Sequence, residues 1–169
     1  MTIHRVGALV SFAAWAFATA TAVALSAEQA RRHAEIADNG SGTDGVPGKA
    51  SEADRTVLID ARDVAFSIKQ IRVHPGETVR FVVRNLGKQR HEFVIASHAE
   101  HLEHRAMMRA MPNMKMGDEA NAVELEPGET KELVWKFGRD ADVEFACDLP
   151  GHAEVGMRGS IIVEGRTPR

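Results

Sequence analysis

The chain has 169 residues and is 44% hydrophobic, enough for one domain of ordinary size with extensions and too apolar for a disordered chain. Its formal charge of −3 argues against a general nucleic-acid binder, which needs a basic surface, so no nucleic-acid partner is expected. A single cysteine, Cys147, excludes an intrachain disulfide and a cysteine-rich zinc site. The unusual feature is eight histidines and seven methionines in a chain without tyrosine.

The first residues have the pattern of an export signal. Residues 1–5 are short and positively charged, and residues 6–25 are apolar or small and carry no charge. Small residues follow, with cleavage expected after Ala24, Ser26 or Ala27, so residues 1–27 read as a signal peptide. A retained N-terminal anchor is the alternative, because a run of roughly 20 apolar residues approaches spanning length. Membrane contact is expected only in that case. Either way the remainder lies outside the cytoplasm, and a periplasmic location is expected. Residues 28–54 hold Asp38-Asn39-Gly40-Ser41-Gly42 and Pro47-Gly48 with no sustained apolar period, and read as a flexible linker. The folded domain is expected over 55–165.

From residue 55 the pattern is mostly β. Val79, Phe81 and Val83 share one face of a strand, with Arg80 and Arg84 on the other. Leu133, Trp135 and Phe137 repeat the period. Residues 142–145 alternate, 161–163 form a short apolar run, and 57–59 and 91–95 complete the set. Pro75-Gly76-Glu77-Thr78 and Pro127-Gly128-Glu129-Thr130 each predict a type II turn feeding a strand. Proline presets φ at the first turn position and glycine accepts a positive φ at the next. Several short strands with turns between them predict an all-β sandwich. One segment breaks the rhythm. Residues 97–110 contain neither Gly nor Pro and predict an inserted helix, with Ser97 and Glu100 as a capping box and Pro112 as the stop.

The decisive stretch is Phe145-Ala146-Cys147-Asp148-Leu149-Pro150-Gly151-His152-Ala153-Glu154-Val155-Gly156-Met157. Cys147 ends an alternating strand and points inward with Val143 and Phe145. Pro150-Gly151 turns the chain and presents His152, and Met157 follows before the last strand. Thiolate, imidazole and thioether thus reach one point. These are donor types of a blue-copper site, in which two His and one Cys lie in a plane with a weak axial Met. A second imidazole must come from elsewhere; His91 opens a strand, shares a face with Phe93 and Ile95, and can reach the same end of the core.

These residues resemble the cupredoxins, the group of plastocyanin, azurin and rusticyanin, over roughly 55–164. The Cys-x4-His-x4-Met spacing with Leu149-Pro150-Gly151-His152 is most similar to the rusticyanin-type loop. The resemblance implies a Greek-key sandwich with one inserted helix, binding copper as Cu(II) or Cu(I) through His91, Cys147, His152 and Met157. Two positions depart from the common pattern. Glu92 stands where many cupredoxins have Asn, and Asp148 where Ser or Thr is common; both place acceptor groups beside the ligands and bear on potential and colour. The competing readings are a structural cysteine with incidental histidines, or a catalytic Cys–His pair, which here lacks an orienting partner and an oxyanion-hole motif. A dinuclear copper centre would need a second cysteine, and a multicopper oxidase would need His-x-His pairs.

Between the two halves of this site lie His98, His101, His104, Met107, Met108, Met111, Met114 and Met116. Spacings of three bring side chains near one another on a helix. Thioethers favour Cu(I) and imidazoles bind both states, so the segment is a candidate second copper site; core filling by Met is the plain alternative. The segment also resembles the His- and Met-containing insertion of exported cupredoxins associated with copper tolerance. Two functions follow as expectations: periplasmic copper handling with redox capability, or a dedicated mobile electron carrier. The partners would be a redox protein or copper-handling proteins. No feature points to a substrate-turning enzyme. His33 and His74 receive no role.

Overall fold

The computed structural model describes residues 45–111, 115, 117–139 and 141–165. The expected signal peptide and most of the expected linker lie outside the described residues, as do Pro112, Met114 and Met116. Among the described residues no helix is long and apolar enough to cross a membrane.

Among the described residues ten strands form two five-stranded sheets. The first has the order β1 (Gly45–Pro47), β8 (Thr130–Phe137), β5 (Thr78–Asn85), β2 (Arg55–Arg62) and β3 (Ala65–Phe66). The second has the order β4 (Gln70–Val73), β10 (Arg158–Val163), β9 (Glu144–Ala146), β6 (His91–Ala96) and β7 (Ala122–Leu125). Pairing is antiparallel except for β2 with β5 and β4 with β10. One helix, α1 (His98–Ala110), is inserted between β6 and β7. The all-β sandwich with one inserted helix is the expected fold.

The alternating strands put their apolar faces where period two requires. Val79, Phe81 and Val83 are fully buried, and Leu133, Trp135 and Phe137 are buried with them. On the solvent side of the same pair, Arg80 is ion-paired with Glu132. Phe93 of β6 sits 5.4–5.7 Å from Phe66, Phe81 and Phe145, tying both sheets into one core through edge and tilted ring contacts. Gly159 of β10 is packed against the Phe145 ring and the Lys69 carbonyl with no room for a Cβ. The two Pro-Gly turns form as expected. Gly76 and Gly128 have φ of 81° and 83°, and Glu77 and Glu129 donate their N–H back to the carbonyls of His74 and Glu126.

Order starts earlier than the linker reading placed it. Residues 45–47 pair antiparallel with β8, Gly45 opposite Phe137 and Pro47 opposite Trp135, and Ala50–Glu52 form a 3-10 turn. A three-residue edge strand containing Gly and Pro shows no alternation, and proline is tolerated at an edge where no ladder donor is needed. The expected strand at 142–145 begins only at Glu144.

The capping box of α1 is present. Glu100 N–H donates to the Ser97 hydroxyl, and the Ser97 N–H donates to the Glu100 carboxylate at 2.8 Å. Its buried residues are His101, Arg105 and Met108: His101 and Arg105 meet Asp148, and Met108 joins the main core. Val94 and Ala96 of β6 and Ala122 of β7 form a small separate apolar cluster.

Candidate metal centre

β6 and the loop after β9 bring the predicted donors together at one end of the sandwich. Antiparallel pairing sets Val94 opposite Ala146, so the first residue of β6 and the residue just past β9 lie at the same end. His91 Nδ1 and His152 Nδ1 are 3.3 Å apart, and Cys147 Sγ is 3.2 Å from His152 Nδ1. Donor atoms of the three residues all lie within 4.8 Å of one another.

Met157 is fully buried at the same place. Its carbonyl accepts the Cys147 N–H at 3.0 Å, while its own N–H donates to the His152 carbonyl at 2.9 Å. The loop is therefore closed on itself. Gly151 at φ 88° and Gly156 at φ 105° make the two reversals that this closure needs.

The environment suits a metal better than bare side chains. Cys147 is fully buried, and burial pushes its thiol up to about 12, against the pull of the Glu92 and Leu149 backbone N–H groups. The Glu92 N–H donates to the sulfur at 3.3 Å. Both imidazoles are held below the usual histidine value, chiefly by burial. For His91 the neighbouring His152 adds to the effect, and Asp63, 3.6 Å from His91 Nε2, opposes it. Two neutral imidazole nitrogens and a buried sulfur thus face one point. Ligands held at 2.0–2.3 Å from a shared ion sit about 3.3–3.7 Å from each other, and the observed 3.2 and 3.3 Å lie at or just under the lower end of that range. The set is nitrogen and thiolate, which selects copper over the hard cations.

Asp63 was not legible as part of this end. It sits in the turn after β2, 28 residues before His91, and also receives the Lys88 and Gln89 N–H groups.

Among the described residues the Met and His segment does not gather as one cluster. His98 faces Glu144 at 2.9 Å and is exposed. His101 is buried with both ring nitrogens engaged, Nδ1 with Asp148 at 2.6 Å and Nε2 with the Glu144 carbonyl at 3.4 Å. His104 turns towards Glu92. Met108 is fully buried in the main core, Met107 is half-buried and Met111 is exposed. His74, which had no role, lies 3.3 Å from Glu164 at an exposed site.

The two positions that depart from the common pattern turn out to be partners of the inserted helix. Asp148 receives His101 and Arg105, and Glu92 lies beneath His104.

A family model described as copper-binding proteins of the plastocyanin/azurin family matches residues 53–164. The chain is 47% identical over 113 residues to the copper-resistant cuproprotein CopI of Vibrio cholerae, covering 67% of this chain and 66% of that protein. It is 43% identical over 132 residues to the protein of the same description from Rubrivivax gelatinosus, covering 78% of each. Among solved structures, the dithionite-reduced auracyanin of Roseiflexus castenholzii shares the fold. The TM-score is 0.55 at 22% identity, covering 69% of this chain and 99% of that one. With the match spanning most of the described domain, the chain belongs to the plastocyanin/azurin family of copper-binding proteins, and copper is its cofactor.

Proposed function

We propose that this is an exported copper-tolerance protein holding one type 1 copper through His91, Cys147, His152 and Met157, with electron transfer as its redox capability. The observation that carries the reading is the convergence of three buried or half-buried donor atoms within 4.8 Å. The copper-resistance names of its relatives and the signal-like first 27 residues support tolerance outside the cytoplasm.

Bound copper supplies a one-electron change between Cu(II) and Cu(I). The chain's part is to hold the donors in place and keep water out. His91, Cys147 and Met157 are fully buried on or beside strands, and His152 alone is half-open to solvent. Donors already collected before the metal binds need little rearrangement on a change of charge, which favours fast transfer.

A dedicated electron carrier is the second reading, and one feature favours it. Val64, Leu86 and Val155 are exposed apolar side chains on the Asp63 turn, the loop before β6 and the ligand loop. These segments border the copper end, since Asp63 and Gly87 both lie close to His91 Nε2. An apolar rim of this kind suits a transient redox contact.

Replacing Met107, Met108, Met111, Met114 and Met116 together with Leu separates the two readings, because volume and helix propensity are conserved. A tolerance protein so altered keeps its colour but binds fewer Cu(I) equivalents and protects copper-stressed cells less well. Unchanged protection and unchanged Cu(I) uptake in a variant with the parent's melting temperature would favour the carrier.

A further inference from the structure

The Glu92 carboxylate is the least satisfied group in the described residues. Its side chain is 3% exposed, and neither carboxylate oxygen has a hydrogen-bond partner. The Asp148 backbone N–H pulls weakly on its charged form without forming a hydrogen bond. A third buried polar atom without a partner, His104 Nε2, faces it at 3.8 Å. That distance is too long for a hydrogen bond, and an orphaned buried carboxylate is costly.

Of the surrounding side chains Arg90 favours its charge, while Asp148 and Glu124 oppose it. Glu124, directly opposite Glu92 on β7, is paired with Arg90 at 3.2 Å, and Arg105 is committed to Asp148. Of the three helix histidines, His98 and His101 face other partners, so His104 alone offers a ring nitrogen here.

A carboxylate and an imidazole ligating one ion at 2.0–2.2 Å stand about 3.3–3.6 Å apart in a tetrahedral set. The observed gap exceeds this by only a few tenths of an ångström. Met108 lies one turn beyond His104 on α1 and is fully buried in the main core.

We propose that Glu92 and His104 form a second metal site, taking a divalent ion of the copper–zinc class between β6 and the inserted helix. Oxygen and imidazole donors suit Cu(II) or Zn(II), in contrast to the sulfur-rich set at the sandwich end. The site would hold copper apart from the type 1 ligands, yet it shares β6 with His91. The Glu92 N–H to Cys147 Sγ bond links the two directly.

The test uses protein already carrying one type 1 copper. Cu(II) is added, unbound ion is removed, and the metal is counted alongside an electron paramagnetic resonance spectrum. The parent protein is expected to retain a second equivalent with a spectrum distinct from the thiolate site, and Zn(II) to displace it without bleaching the type 1 colour. Glu92→Gln and His104→Gln should each weaken that second equivalent at least tenfold. No hydrogen bond or ion pair is seen between His104 and a type 1 donor, so His104→Gln is expected to keep the colour and decides the matter if Glu92→Gln disturbs the neighbouring site. A parent that holds one equivalent only, or a second equivalent that survives in His104→Gln, overturns the proposal. Loss of the type 1 colour in the parent would instead strike at the function proposed above.

Discussion

Asp148, the residue after Cys147, meets His101 of the inserted helix at 2.6 Å, with both side chains fully buried. Arg105, one turn along, reaches the other carboxylate oxygen at 3.3 Å. The ligand loop and the helix are therefore fastened by a buried charged cluster. Removing one member of such a cluster leaves the others buried and unpaired, which costs about 3–5 kcal/mol. Asp148→Ala is expected to lose stability of that order in chemical denaturation of the metal-free protein. Asp148→Asn, which keeps an acceptor for Arg105, should lose less. Equal stability of Asp148→Ala and the parent would mean the cluster does not fasten the helix.

The axial position gives a second prediction. Met157→Leu conserves volume in a fully buried place and removes a soft donor. Copper is expected to stay bound, with a higher reduction potential, because a lost thioether disfavours Cu(II). His91→Ala and His152→Ala should each cost far more, with copper affinity falling at least a hundredfold. Voltammetry and competitive chelator titration separate the two behaviours. An unchanged potential and spectrum in Met157→Leu would remove it from the ligand set.

Proton release follows from the same burial. In the metal-free protein the Cys147 thiol is pushed up to about 12, so it is protonated at pH 8. His91 and His152 are shifted below the usual histidine value, so both are neutral there. Copper takes the thiolate, so binding should release one proton, and affinity should rise about tenfold for each pH unit above the histidine range. As pH falls into that range, imidazole protonation steepens the dependence. Calorimetry in buffers of different ionisation enthalpy counts the proton. Release of none would show that Cys147 is already ionised or is not a ligand.

What the sequence made legible was what repeats or clusters locally. The alternation in β5 and β8, the paired Pro-Gly turns, the capping box at Ser97 and Glu100, and the Cys-x4-His-x4-Met loop are all short-range patterns. Strand β1 was missed because three residues with Gly and Pro carry no period. β3, β4 and β7, of two to four residues each, were also missed. The histidine spacing suggested a shared face on the helix, but each histidine meets a different strand or loop, and those partners are fixed by tertiary packing. For the same reason Glu92 and Asp148 were legible as departures near the copper ligands, while their common role as seats for the helix was not.

The central claim is that one copper sits on the Cys147 thiolate, and colour tests it most directly. The purified protein is titrated with Cu(II) and followed by visible absorption, beside Cys147→Ser. Serine is close in size and leaves the fold in place, but its hydroxyl is a far weaker, harder donor. The parent is expected to develop an intense thiolate-to-copper charge-transfer band that saturates at one equivalent, and Cys147→Ser none. A colourless parent, or a Cys147→Ser protein with the same band, would contradict the account.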